Sequence, residues 1–194
     1  MPVRKIIQAG EPSLINASAA FTDIDSELSV SIQADLKDTH SNGKGIGLAA
    51  PQIGENHRMF VTEIALNPGD PYDYYDDYRV YINPEITDYS NDTTQFYEGC
   101  LSVAAGDLYL PVIRPKQITV EAFDESGKKF RIKCDGLLAR VIQHEYDHLD
   151  GILFLEKVTN YKEAYNLENY IKYIKFTKDF IAARKITLKE ITYL

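Results

Sequence analysis

The chain has 194 residues, 44% hydrophobic and 26% charged, the make-up of one ordinary folded domain with a real core. Its 29 acidic residues against 21 basic ones leave a formal charge of −8, which argues against a general nucleic-acid binder, because phosphate contact needs net positive surface. No apolar run approaches membrane-spanning length, and two cysteines, Cys100 and Cys134, are too few for a secreted disulfide framework, so a reducing cytoplasm is the expected compartment.

An N-terminal arm leads to a turn at Gly10-Glu11-Pro12. Leu28, Ile32 and Leu36 recur every fourth residue and predict a helix from Asp25 or Ser26, either of which can cap it, to about Thr39, with its stop at Ser41-Asn42-Gly43. The run Gly45-Ile46-Gly47-Leu48-Ala49-Ala50-Pro51-Gln52-Ile53-Gly54 crowds small residues together, which lets backbone approach a neighbour closely. It lacks the third glycine and the Lys-Ser/Thr ending of phosphate loops. Gln52 can offer an amide N–H to a carbonyl, or be an exposed turn residue. Residues 58–64 and 80–86 read as strands, the second limited by Pro84. The acidic, turn-rich stretch 67–79 between them reads as a solvated surface loop, or alternatively as a lip over a site. Residues 117–124 and 129–134 alternate around Glu125-Ser126-Gly127, a β-hairpin signal that places Cys134 in the core. Residues 161 to about 185 predict a second long helix. Its apolar stripe is Ala164, Leu167, Ile171, Ile174 and Ile181, and Lys172, Lys175, Lys178, Arg184 and Lys185 cluster toward its end. No repeat or linker divides the chain, so residues 1–194 read as a single domain.

The chemistry concentrates in Gln143-His144-Glu145-Tyr146-Asp147-His148. Leu137, Leu138, Val141, Ile142 and Leu149 recur at helical spacing between Gly136 and Gly151, so His144 and His148 leave one helix face a turn apart. Two imidazoles so placed can hold one metal ion, with Glu145 beside it as a general base. A third ligand is then required. A downstream histidine is excluded: Phe154 stands where it would fall, and no histidine follows His148. A carboxylate on the C-terminal helix, Glu168 or nearby Glu163, stays open. So does Cys100 upstream, whose thiolate with two imidazoles suits Fe(II), Ni(II), Co(II) or Zn(II) and leaves a position for water.

The segments Gly45-Ile46-Gly47-Leu48-Ala49-Ala50-Pro51-Gln52, Glu98-Gly99-Cys100-Leu101-Ser102 and Gln143-His144-Glu145-Tyr146-Asp147-His148, in this order, resemble the three signature motifs of the peptide deformylase family. The resemblance covers the strand-rich region between them and weakens toward both ends of the chain. It implies an α+β fold, antiparallel β-sheets surrounding a central metal-binding α-helix, with N-terminal and C-terminal helices outside. It implies Cys100, His144 and His148 as metal ligands, with Fe(II) in the cell and Zn(II), Ni(II) or Co(II) as substitutes. Glu145 would take a proton from water and return one to the departing amine. The implied substrate is an N-formylmethionyl peptide that loses its formyl group as formate. The formyl oxygen would meet the Gln52 side-chain amide and the Leu101 backbone N–H. Ile46, Leu137, Val141 and His144 would form the methionine pocket, and backbone at Gly45 and Gly47 would pair with the extended peptide. The C-terminal helix would be the part that docks at the ribosomal exit. Two departures stand out: Ala104 occupies a position that is usually proline in the family, and the arginine some members carry in this same loop, residues 104–110, has no clear counterpart, Arg114 matching a later structural arginine. Residues 72–78 look like an insertion. Two other readings remain, a zinc endopeptidase with a carboxylate ligand and a binder of formylated peptides without turnover; the presence of all four active-site side chains argues against the second.

Overall fold

The computed structural model describes residues 3–43, 45–65 and 74–194. Helix α1 (Glu27–Asn42) starts where the Ser26 hydroxyl accepts the Ser29 N–H, and it ends at the expected stop, with Gly43 as its C-cap. The small-residue run forms a short strand, β1 (Gly47–Ala49), and a 3-10 turn, Ala50–Ile53. Strands β2 (Met59–Ile64), β3 (Asp76–Tyr89), β4 (Thr93–Glu98), β5 (Leu110–Pro115), β6 (Gln117–Phe123) and β7 (Lys129–Asp135) follow. Then come the central helix α2 (Gly136–Leu149), the short helices α3 (Leu167–Tyr170) and α4 (Lys178–Arg184), and a last strand β8 (Lys189–Tyr193). Among the described residues the strands pair antiparallel, as a sheet in the order β1-β2-β3-β6-β7-β8 and a separate β4-β5 ribbon. This is the α+β architecture that the motifs imply.

Strand alternation explains how one sheet serves two cores. Phe60 and Tyr81, with Val120 and Ile132, meet Leu138, Ala139 and Ile142 of α2 on one face. Val61, Val80 and Ile82 meet Ile32 and Leu36 of α1 on the other. Each such side chain gains about 1.5–3 kcal/mol by leaving water. The central helix is thus held on its apolar side by the sheet.

Three local expectations are corrected. Part of the predicted surface loop, residues 67–73, lies outside the described residues. The rest is only partly solvated: Tyr75 and Asp77 are exposed, but Tyr74 and Asp76 are buried, and Asp76 accepts from Lys189 Nζ at 3.0 Å where β3 begins. Strand β3 passes Pro84 by a bulge, with Asn83 at φ 48° and a register shift between Ile82 and Glu85. The predicted long C-terminal helix is divided into a 3-10 turn, Tyr161–Glu163, then α3, a π-helical turn, Ile171–Lys175, and α4. Asn166 and Thr177 each restart it, their side chains accepting the N–H groups of Asn169 and Phe180. The stripe read as its buried face is not buried. Tyr170 and Phe180 are, whereas Leu167 and Ile171 remain 40% and 39% exposed. Finally, Lys189-Glu190-Ile191-Thr192-Tyr193 adds an unforeseen edge strand, with Tyr193 opposite Phe130.

Candidate metal centre and its cleft

Strand β4 ends at Glu98 and leads straight to Gly99 and Cys100, while α2 carries His144 and His148. Cys100, His144 and His148 each bring a donor atom to within 4.8 Å of the others. Cys100 Sγ lies 3.3 Å from His148 Nε2, and the two imidazoles stand 5.1 Å apart and nearly perpendicular, at 83°. Ligand atoms about 2.0–2.3 Å from one ion at tetrahedral angles are roughly 3.5 Å from one another, so this thiol and these rings fit a single divalent ion. Beside them the buried Glu145 Oε2 has no hydrogen-bond partner among the described residues, which leaves it an acceptor for solvent.

Close packing depends on two glycines. A Cβ at Gly47 would lie 2.5 Å from Glu145 Oε1 and 2.8 Å from Val141 Cγ1; one at Gly99 would lie 2.8 Å from the Tyr109 ring. Gln52 is buried rather than an exposed turn residue. Its Oε1 accepts the Ala49 N–H at 2.8 Å, which turns Nε2 toward Cys100 Sγ at 3.5 Å and Ser102 Oγ at 3.3 Å.

Sequence reasoning assigned no role to Glu98, and it organises the centre. Buried, it accepts from His144 Nδ1 at 2.9 Å, from Arg114 Nε and Nη2 at 2.7 and 2.9 Å, and from Arg140 Nη1 at 2.8 Å. Burial opposes its charge, but Arg114 and His144 hold the carboxyl well below the usual range. Arg114 also donates to Asp147 at 2.5 Å, which pairs with Lys157, so Arg114 is the structural arginine expected. Glu98 opens the same motif as Cys100, a signal that was available. Arg140 and Asp147 carry none, because they matter only once β4 and β5 lie across α2.

Burial disfavours charge on both rings. At His144 the hydrogen bonds to Cys100 and Glu98 outweigh it and hold the pKa well above the usual value. At His148 burial, reinforced by His144 and Arg114, holds the pKa well below it. Burial pushes the Glu145 carboxyl up to about 7, with His144 opposing and Glu98 adding. A carboxyl poised there takes and returns protons near neutral pH.

A cleft of about 470 Å³ opens on Cys100, His144 and Glu145, while His148 lies behind it, 1% exposed. Gly45, Ile46, Gly47, Gln52, Leu101, Leu137 and Val141, all expected on sequence grounds, line this one cleft. Leu101 lies over Gly45, and its carbonyl accepts from Gln8 Nε2 at 2.9 Å. The alternative carboxylate ligands are elsewhere: Glu163 accepts from Tyr97 Oη and Asn160, and exposed Glu168 is not in the ligand group. Tyr74 and Tyr75 do not line the cleft, so the lip reading has no support there. Ala104 and Ala105 sit at φ 49° and 51°. A proline, fixed near −65°, does not adopt the backbone angle that Ala104 has here.

The family model described as polypeptide deformylase matches residues 3–164. A peptide deformylase of Treponema pallidum (strain Nichols) is 39% identical over 161 residues, covering 83% of this chain and 91% of that protein. One from Prochlorococcus marinus (strain MIT 9312) is 40% identical over 159 residues, 82% of this chain and 75% of that protein. Among solved structures, a peptide deformylase from Ehrlichia chaffeensis in complex with actinonin superposes with a TM-score of 0.74 at 31% identity, over 90% of this chain and 97% of that one. A class I type b peptide deformylase from Acinetobacter baumannii with Met-Ala-Ser bound gives a TM-score of 0.74 at 30% identity, over 81% and 99%.

Proposed function

We infer that this chain, which belongs to the polypeptide deformylase family, removes the formyl group from the N-terminal methionine of newly made polypeptides and releases formate. It is a metal-dependent hydrolase acting on a linear formamide. The observation that carries this is the convergence of Cys100, His144 and His148 beside a buried Glu145 in a peptide-sized cleft.

In our reading Cys100, His144 and His148 hold the ion, and Glu98 takes the His144 Nδ1–H so that Nε2 faces the ion. A divalent ion there supplies a Lewis acid that polarises a carbonyl and acidifies water. Glu145 accepts the proton of the attacking water and then delivers it to the amine as the C–N bond breaks. The Gln52 amide, locked by Ala49, and the Leu101 backbone N–H donate to the developing oxyanion; removing one such donor costs on the order of 2.7–4 kcal/mol of barrier. Ile46, Leu137, Val141 and His144 hold the methionine side chain, and backbone at Gly45 and Gly47 pairs with the peptide as an added strand would. The relative crystallised with Met-Ala-Ser supports a short extended peptide as the occupant.

We propose Fe(II) as the ion in the cell, with Zn(II), Ni(II) or Co(II) able to replace it, because a mixed thiolate–imidazole set accepts all four. The cytoplasm is the proposed compartment: both cysteines are free, and no described helix is long and apolar enough to cross a membrane. A single catalytic domain is supported by the way β8 and α4 pack back onto β7 and Phe96. Ribosome docking through the exposed Lys172 and Lys178 is the remaining proposal; co-sedimentation unchanged in a Lys172→Glu/Lys178→Glu variant would dismiss it.

The test is anaerobic purification, metal analysis and formate release from formyl-Met-Ala-Ser. Metal-loaded protein that releases no formate would sink the reading. Glu145→Ala should keep the metal and lose turnover; Cys100→Ala should lose the metal.

A further inference from the structure

The family match ends at residue 164, yet the cleft does not. Leu167, Tyr170, Ile171 and Lys175 line the same cavity as Cys100 and Glu145. We propose that this segment is a substrate-binding wall that selects apolar side chains in the residues following the formylmethionine. The proposal rests on the deformylase reading above.

Several contacts fix the wall against the catalytic motif. Tyr109 and Tyr165 exchange backbone hydrogen bonds of 2.8 and 2.9 Å. The Tyr109 ring stacks on Tyr170 at 4.0 Å with an interplanar angle of 1°, and the other side of the chain of contacts is Gly99, next to Cys100, which has room for no Cβ beneath that ring. The Leu167 N–H donates to Asp107 at 2.8 Å, and Phe180 packs on both Tyr170 and Phe96. Tyr170 and Phe180 therefore serve as the anchors. Leu167 and Ile171, one helical turn apart, are left 40% and 39% exposed on the cleft. Neighbouring apolar side chains held in a groove and kept from the core mark a ligand surface. Continuity with the catalytic cavity names the ligand: a peptide whose formyl group reaches Cys100 and whose methionine fills the pocket at Ile46, Leu137 and Val141 must run its next residues along a remaining wall.

The test compares kcat/KM for formyl-Met-Leu-Leu and formyl-Met-Ser-Ser. Metal-loaded wild type should favour the leucine peptide by roughly tenfold, and Leu167→Ser/Ile171→Ser should bring the ratio close to one. Formate from both peptides at equal efficiency in wild type, or an undiminished ratio in the variant, would overturn the wall and leave the deformylase reading intact. Formate from neither peptide would overturn that reading itself. Should the double variant fold poorly, formyl-Met-benzoylphenylalanine-Leu is photo-crosslinked to Glu145→Ala protein and the adduct mapped. Labelling at residues 167–175 supports the wall; labelling confined to the rest of the cleft refutes it.

Discussion

Gly47 shows how little slack the centre has. With a Cβ there directed at Glu145 Oε1 and Val141, Gly47→Ala must displace the proposed base. Misplacing a catalytic group by about an ångström costs on the order of a hundredfold in rate. The expected result is a loss of kcat/KM of that size with metal content unchanged, since the atoms nearest that Cβ belong to Glu145 and Val141; wild-type turnover in the variant would refute it. A second titrating residue lies away from the centre. His40 of α1 is buried, 3.6 Å from Glu63 and edge-on to Tyr78. Burial lowers its pKa, and Glu63 opposes without winning. The unfolded chain takes up a proton near the usual value of about 6.5, before the folded chain does. Stability is therefore complete above that value and declines as pH falls from it toward the lower folded pKa. The Tm difference between about pH 7.5 and about pH 5.5 should shrink in His40→Leu, and an unchanged difference would remove His40 from the account.

At the scale of elements, Glu98 ties three of them together: β4 that carries it, β5 through Arg114, and α2 through Arg140 and His144. Its carboxylate is the shared acceptor, so Glu98→Gln removes charge while keeping the shape. Altering the partner behind a ligating histidine typically costs 10–100-fold in metal affinity. A competition titration with a chelator should read about that loss, and affinity equal to wild type would show that His144 is oriented by packing alone. Elements with a strong local signal were legible beforehand: α1 from its four-residue apolar spacing and Ser26 cap, the β6–β7 hairpin from alternation about Gly127, α2 from its apolar face. The C-terminal helix was not, because Asn166 and Thr177 divide a periodicity that the apolar residues alone describe as continuous. Strand β8 and the burial of Asp76 were not legible either, since both depend on partners far away in sequence.

For the whole molecule, the ligand set joins the end of the β4-β5 ribbon to the helix that backs the main sheet. An ion that binds the folded chain and not the unfolded one stabilises the fold by mass action, about 2.7 kcal/mol at a hundredfold excess over its Kd. Chelation should lower the Tm of wild type by several degrees, as expected for a domain of this size, and leave Cys100→Ala unmoved. Equal shifts in both proteins would mean that the chelator acts elsewhere.

The sequence by itself determined the chemistry. His144, Glu145 and His148 are placed together by helix geometry, which is local, and the motif around Cys100 supplied the third candidate ligand through resemblance. Only the tertiary structure decided what surrounds them: Glu98 shared by two arginines and a histidine, Gln52 turned toward the thiol, and Leu167 with Ile171 facing the cleft instead of the core. Each of these is a contact between residues distant along the chain, and no local pattern encodes it, because the free energy that selects it comes from how whole elements pack.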